Sequence, residues 1–166
     1  MSGVVKLGRR GVLALGAAAA LGACTSPAKS AEDGKVRTDP EPLERRFTAL
    51  GRLSDVHWLG TVLGADSRGS VPGPTDVRVV GFAQLRAGGV RALTGAPKWA
   101  FRPATPGRPP EALVPYASKS ARWVRSASFD DEVTGGLYAG TFHFDETGDR
   151  VYFDTTNPRP TVDTGP

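Results

Sequence analysis

Two histidines are the residues of this chain best suited to acid–base chemistry near neutral pH. His57 and His143 both fall in segments with strand-like patterns, and Asp55 shares a strand face with His57 because it lies two positions earlier. Ser126 or Ser128 would complete a Ser-His-Asp arrangement. The chain has no G-x-S-x-G motif to hold a serine nucleophile on a sharp turn, however. We therefore expect surface or packed histidines and no catalytic residue, with a small hydrolase using His57 or His143 as the alternative.

Two acidic clusters are the candidates for a metal site: Asp130-Asp131-Glu132, and the set Asp145, Glu146 and Asp149. Neither matches the D-x-[DN]-x-[DN]-G pattern of a calcium loop. The first cluster suits the opening turn of a short helix, and the second suits a hairpin turn with glycine in the left-handed position. Zinc would need further ligands at metal spacing. We predict no metal and no cofactor.

The charge of the chain is concentrated at its N-terminus. The formal net charge is +4, but Lys6, Arg9 and Arg10 precede Cys24 and no acidic residue does. Residues 24–166 therefore carry 18 basic against 17 acidic side chains, a net charge of +1. No dense basic patch is visible in this pattern, and nucleic-acid binding needs one. We exclude nucleic acid as a partner.

The first 24 residues have the three parts of an export signal. A basic region at 6–10 is followed by an apolar run at 11–20 and by Leu21-Gly22-Ala23-Cys24. The uncharged stretch 11–23 is shorter than the roughly 20 residues that a spanning helix needs, so it reads as a signal peptide. Cys24 is the only cysteine, which excludes an intramolecular disulfide.

Leu21-Gly22-Ala23-Cys24 resembles the lipobox of bacterial lipoproteins. The resemblance implies that Cys24 accepts a diacylglycerol and becomes the first residue of the mature protein. Arg9-Arg10 resembles the twin-arginine export signal, although an ordinary basic region explains it nearly as well, and the export route stays open. Two acyl chains on Cys24 would give a stable anchor.

The mature part resembles lipoproteins of actinobacteria that have no assigned activity. The composition, with sixteen arginines against five lysines, supports this resemblance. The segments that carry it are Val56-His57-Trp58, Val71-Pro72-Gly73-Pro74-Thr75-Asp76 and Val151-Tyr152-Phe153-Asp154. It transfers no catalytic residue, and only the lipid site is carried over, onto Cys24.

The pattern of residues divides the chain into four regions. These are a signal peptide at 1–23, a lipidated flexible tether at 24–40, a domain at 41–157 and a disordered tail at 158–166. We predict helices over 41–51, 86–93 and 111–118, and strands over 54–63, 76–85, 122–129, 137–144 and 150–154, with an extended edge at 98–103. There is little βαβ alternation, so the expected fold is α+β with a mainly antiparallel sheet.

The segment 64–75, rich in glycine and proline, joins the first two predicted strands. Its glycine spacing is superficially that of a phosphate loop, but it lacks the lysine that would reach a phosphate. Val71, Pro72, Gly73, Pro74, Thr75 and Asp76 form a stiff stretch, which suits either a recognition loop or a fixed strand crossing. Three tryptophans, Trp58, Trp99 and Trp123, belong to the predicted core, and an exposed one would be a platform for a ligand or glycan.

From the sequence we expect a non-catalytic binding module, tethered through Cys24 at the extracytoplasmic face of the cell membrane. Its partner would be an envelope protein or a glycan. The alternative is the small envelope hydrolase, which predicts that the two histidines, or one histidine and a carboxylate, share a pocket.

Overall fold

Every strand in the described part of the chain runs antiparallel to its neighbours. The computed structural model describes residues 34–63 and 76–160. Within them, six strands form one sheet in the order β1-β2-β6-β5-β4-β3. The strands are β1 (Ser54–Leu63), β2 (Asp76–Gln84), β3 (Arg102–Pro103), β4 (Trp123–Arg125), β5 (Gly140–Asp145) and β6 (Arg150–Thr156).

The helices are short, and α1 precedes β1 whereas α2 and α3 lie between strands. They are α1 (Glu41–Glu44), α2 (Gly89–Thr94) and α3 (Ala127–Thr134), with 3-10 turns at Thr48–Leu50, Pro97–Trp99 and Glu111–Tyr116. Across the described ranges, no helix combines the length and apolar content needed to cross a membrane. An antiparallel sheet with a few short helices confirms the predicted α+β fold class.

One face of the sheet, called here the helix-covered face, holds most of the aromatic core. Phe142, Phe144 and Phe153 point to this face and are fully buried. Phe47, just after α1, packs edge-on against Phe142 with ring centroids 5.2 Å apart, and Phe129 of α3 packs edge-on against Phe144 at 5.3 Å. Burial of such side chains stabilises the fold by about 1.5–3 kcal/mol each, so these rings hold α1 and α3 on the sheet.

The opposite face carries a row of side chains in register. His57, Phe82, Tyr152, His143 and Arg125 are successive partners on β1, β2, β6, β5 and β4. Both histidines therefore lie on the same face and in the same row, with β2 and β6 between them.

A 3-10 turn covers part of this opposite face. Leu113 of Glu111–Tyr116 is fully buried in a cluster with Leu59, Val80 and Phe82. The polar residues of the row therefore lie beside an apolar cover and are only partly open to solvent.

Strand 54–63 is confirmed at both ends, but the prediction over 122–129 is wrong after Arg125. The chain turns there into α3 because the Ser126 hydroxyl accepts the N–H of Phe129 at 3.1 Å and caps the helix. The Asp130 carboxylate also accepts a hydrogen bond from the backbone N–H of Phe142 on β5, at 2.9 Å. This N–H is therefore paired although β4 has already ended.

The predicted helix 41–51 is divided into α1 and the turn Thr48–Leu50. The three apolar residues predicted to share one face, Leu43, Phe47 and Leu50, are nevertheless all buried. Gly51 ends the segment with a φ of 71°, as expected for a glycine at this position.

The hairpin between β5 and β6 differs from the prediction in its left-handed residue. That residue is Asp149, with a φ of 50°, and not Gly148. The Asp149 carboxylate accepts the N–H groups of Gly88 and Val90 at 2.9 and 3.0 Å, which fixes this conformation.

The three tryptophans differ in burial. Trp58 is buried, whereas Trp99 and Trp123 are half-buried. Trp99 packs edge-on against Phe129 at 5.3 Å, and the Lys98 ammonium lies 4.0 Å from the centre of its ring. None of the three is an open platform for a ligand.

We expect Gly81→Ala to lower the free energy of unfolding by about 1–3 kcal/mol, the usual cost of overpacking. A Cβ at this position would lie 2.5 Å from the carbonyl oxygen of His57 and 2.6 Å from Cβ of Trp58. Urea denaturation of the full chain measures the change. Gly60→Ala is the matched control, because its Cβ would meet only Cζ3 of Trp58 at 3.6 Å. Equal denaturation midpoints for the two variants would contradict the packing described.

Candidate functional site

Several of the predicted site residues lie outside the described ranges. Cys24, the signal-peptide residues Arg9, Arg10, Leu21, Gly22 and Ala23, and loop residues 71–75 belong to this group. Asp76 is the exception and is the first residue of β2. Its carboxylate accepts a hydrogen bond from the Asn157 side-chain amide at 2.6 Å.

His57 does share its surroundings with a carboxylate. A β-bulge between Ser54 and His57 puts Asp55 at a φ of 42° and brings its Oδ1 within 3.0 Å of His57 Nε2. The ring of Tyr116 stacks on the imidazole, with centroids 3.8 Å apart. The predicted proximity of Asp55 and His57 is confirmed. Tyr116 covers one face of the imidazole ring, and Asp55 contacts its Nε2 atom.

The structure does not bring Ser126 or Ser128 to the pair of His57 and Asp55. Ser126 follows β4 directly, and three strands separate β4 from β1, a span of about 19 Å at the usual spacing between strands. The Ser126 hydroxyl caps α3 and donates to the carbonyl oxygen of Trp99, and the Ser128 hydroxyl donates to the same oxygen at 3.2 Å. Both serines therefore hold backbone, and neither lies near His57.

His143 is packed in the sheet, with only 7% of its surface exposed. Burial lowers the pKa of His143 to about 4, and the positive charge of Arg125 adds to this effect. The ring is therefore neutral at physiological pH. Three strand spacings, about 14 Å, separate it from His57, so the two histidines do not share a pocket.

Each acidic cluster has an aspartate that accepts hydrogen bonds from backbone N–H groups. Asp130 accepts the Arg125 guanidinium at 2.6 Å besides the Phe142 N–H, and Asp145 accepts the N–H groups of Arg122 and Thr147 at 3.0 Å each. Within the described residues there is no group of three or more histidine, cysteine or carboxylate side chains that could hold a metal ion.

The described residues include a groove that the sequence reasoning missed. It has a volume of about 990 Å³ and lies on the helix-covered face, beside the C-terminal end of β1 and the N-terminal end of β2. Its floor is apolar, and the floor residues are Gly60, Val62, Val77 and Val79. Its walls are the segment 35–39, α1 with the residues after it, and the segment 157–159.

The backbone of segment 35–39 is fixed at Trp58. The Arg37 N–H donates to the Trp58 carbonyl at 2.8 Å, and the Trp58 N–H donates back to the Arg37 carbonyl at 2.9 Å. The Trp58 indole N–H donates to the carbonyl of Asp39 at 3.1 Å. Residues that the sequence places in the tether thus extend the sheet beyond β1 by one bridge.

The remaining walls are tied together by Arg46 and Asn157. The Arg46 guanidinium donates to the carbonyl oxygens of Pro42 at 2.6 Å and Pro158 at 3.1 Å. Asn157 accepts the Val77 N–H on its side-chain oxygen at 2.7 Å, and its own N–H donates to the Val77 carbonyl at 2.7 Å. These contacts join the N-terminal wall, the C-terminal wall and the floor.

The rim of the groove is strongly cationic. Its charged residues are one carboxylate, Asp39, and five cations, Lys35, Arg37, Arg45, Arg46 and Arg159. Burial of the Asp39 carboxyl acts to raise its pKa, but the hydrogen bond and charge of Arg37 outweigh this, and the pKa is lowered. Asp39 is therefore ionised and offsets one of the five positive charges.

The sequence concealed this rim because its members come from separate predicted regions. Lys35 and Arg37 belong to the predicted tether, Arg45 and Arg46 to the first helix, and Arg159 to the predicted tail. The adjacent pair Arg45-Arg46 is the one local signal that could have been followed.

The burial of His143 predicts a pH-dependent stability. Between about pH 6.5 and about pH 4 the unfolded chain binds a proton at His143 that the folded chain does not, so the free energy of unfolding falls as the pH falls. We expect a loss on the order of 3 kcal/mol over this window. Urea denaturation at several pH values measures it, and His143→Gln should flatten the profile. His57→Gln is the matched control, and parallel profiles for wild type and His143→Gln would refute the assignment.

The chain matches no protein-family model, no curated protein and no solved structure. The case for a function rests on the chemistry of the groove and on the sequence that leads into it.

Proposed function

We propose that this chain is a lipid-anchored, non-catalytic binding module at the extracytoplasmic face of the cell membrane, and that it binds its ligand in the groove beside β1. The observation that carries the proposal is the groove itself, with its apolar floor and five cations at the rim. An apolar concave surface with a few charged groups is the usual form of a binding site.

The position of the groove relative to Cys24 supports a role at the membrane. Only residues 25–33 separate Cys24 from Gly34, where the described chain begins. Ten Cα–Cα steps span at most about 35 Å. A lipid on Cys24 therefore keeps Lys35 and Arg37, which line the groove, within about one membrane thickness of the bilayer surface.

The stiff segment Val71–Asp76 supports the same site. Val62 on β1 pairs with Val77 on β2, and Leu63 with Asp76, at the last pair before the connection 64–75. Val62 and Val77 are also floor residues of the groove. The connection 64–75, which contains most of the proposed recognition loop, therefore leaves β1 and enters β2 beside the groove floor.

The hydrolase alternative has weaker support. Its best observation is the contact of 3.0 Å between His57 Nε2 and Asp55. The other ring nitrogen of His57 is buried and has no hydrogen-bond partner among the described residues. Neither serine considered as a nucleophile lies near this pair, so we favour binding over turnover.

Replacement of Cys24 tests the anchor. In the native cell, the wild-type chain should carry label from a supplied fatty acid and enter the detergent phase on phase separation. Cys24→Ala should lose both properties, because the alanine offers no thiol for acylation. Ser26→Ala, which leaves the lipobox intact, is the matched control. Acyl label retained by Cys24→Ala would contradict the proposal.

Site-specific cross-linking tests the binding surface. A photoreactive amino acid in place of Val62 in the full chain should capture a partner in the native cell, which mass spectrometry then identifies as protein, glycan or lipid. The same amino acid in place of Arg91 is the control, because Arg91 is exposed on α2, at the other end of β2. Identical adducts from both positions, or none from Val62, would refute the groove as the binding surface.

A further inference from the structure

We infer that the occupant of the groove is an anionic phospholipid of the membrane in which the chain is anchored, with its phosphate at the cationic rim and an acyl chain on the apolar floor. This inference rests on the proposed function, because it takes the bilayer to lie within reach of the groove. It goes further by naming the chemical class of the ligand.

The floor fits an acyl chain. Gly60, Val62 and Val77 are half-buried, so part of their apolar surface is open in the groove. The lining that β1 contributes to the groove runs from Trp58 to Val62, a length of about 13 Å. Gly60 leaves the middle of this strip without a side chain. A Cβ placed on Gly60 would meet only Cζ3 of Trp58, at 3.6 Å, so there is open space above it. An apolar strip of this kind accommodates a hydrocarbon chain, and the side chains of Gly60, Val62 and Val77 offer no hydrogen-bond donors to a sugar.

The rim fits a phosphate. Arginine is ionised at all physiological pH values and binds phosphate through two parallel hydrogen bonds. Arg45 is paired with Glu41 at 2.9 Å, but both side chains are more than half exposed, so exchange of this partner costs little. Lys35 and Arg159 have no ion-pair partner within the described residues.

The combination of floor and rim selects among ligands. A neutral lipid would leave the rim unused, and a soluble polyanion such as a nucleic acid would leave the apolar floor exposed to water. An anionic lipid satisfies both surfaces. The short segment 25–33 would hold the groove near the bilayer, where such lipids are present at high local concentration. This proximity favours a membrane lipid over a free amphiphile.

Photo-labelling in vesicles tests the inference. The acylated protein, residues 24–166, is purified from its native host and reconstituted into phosphatidylcholine vesicles that contain a minor fraction of phosphatidylglycerol. One of these two lipids carries a diazirine on its acyl chain. Vesicle flotation reports the anchor, and mass spectrometry locates the labelled residues.

We expect label from diazirine-phosphatidylglycerol on Gly60, Val62 or Val77, and at least about fivefold less from diazirine-phosphatidylcholine at the same molar fraction. Gly60→Leu should remove most of this label because its side chain fills the floor, and Gly60→Ala serves as the control for folding. Arg45→Glu with Arg159→Glu should abolish the preference for the anionic lipid. Arg91→Glu, the same charge change outside the groove, should preserve it.

Three results would overturn the inference: equal labelling by the two lipids, label confined to residues outside the groove, and undiminished label in Gly60→Leu. If the chain floats with the vesicles and one of these results is obtained, only the lipid assignment fails. If the chain does not float, the anchor fails, and with it the proposed function. Capture at Val62 of a protein, a glycan or the chain's own residues 161–166 in the native cell would also replace the lipid by another occupant.

Discussion

The position of Trp58 is the constraint on which the rest of this structure depends. On the outer side of β1 its backbone forms the bridge to Arg37, and on the inner side it pairs with Gly81 of β2. The Arg37 guanidinium lies 4.2 Å from the centre of the indole ring, a distance typical of a cation–π contact. The absence of a side chain at Gly81 leaves room for Cβ of Trp58 and for the ring of Phe153. One residue thus joins the N-terminal segment, the edge strand and the aromatic core.

The bridge at Trp58 also decides where the charge lies. Without it, Lys35 and Arg37 would belong to a solvated tether and contribute only to the average charge. The bridge brings them to the same groove as Arg45, Arg46 and Arg159, which come from both ends of the described chain. Residues 24–166, with a net charge of +1, therefore place five cations and one carboxylate along the lining of the groove, while Glu41 beside the lining pairs with Arg45. Composition places a limit on the total charge and none on its distribution.

The sequence predicted the central elements because their signals are local. Strand β1, predicted from its β-branched and aromatic residues, is confirmed over 54–63, and the apolar run of β2 is confirmed to within one residue. The end of β4 could not be predicted in this way. The segment 122–129 continues to alternate, and the helix begins only because the Ser126 hydroxyl and the Asp130 carboxylate take up N–H groups of Phe129 and Phe142. One of these two bonds spans twelve residues, beyond the reach of a local pattern.

The candidate site was missed for a related reason. Reasoning from residue type favoured the histidines, because imidazole is the side chain that titrates near neutral pH. In the fold, His143 is neutral and packed between neighbouring strands, and His57 is enclosed by Asp55 and Tyr116. The groove is instead lined by cations that no single pattern links: Lys35 and Arg37 precede α1, Arg45 and Arg46 directly follow it, and Arg159 lies beyond β6. The face of the sheet that carries both histidines is closed in part by the 3-10 turn Glu111–Tyr116, whereas the groove lies on the other face, where Val62 and Val77 remain half-buried. Because a binding surface needs apolar area that the core has left uncovered, the ends of β1 and β2 suit the proposed ligand site.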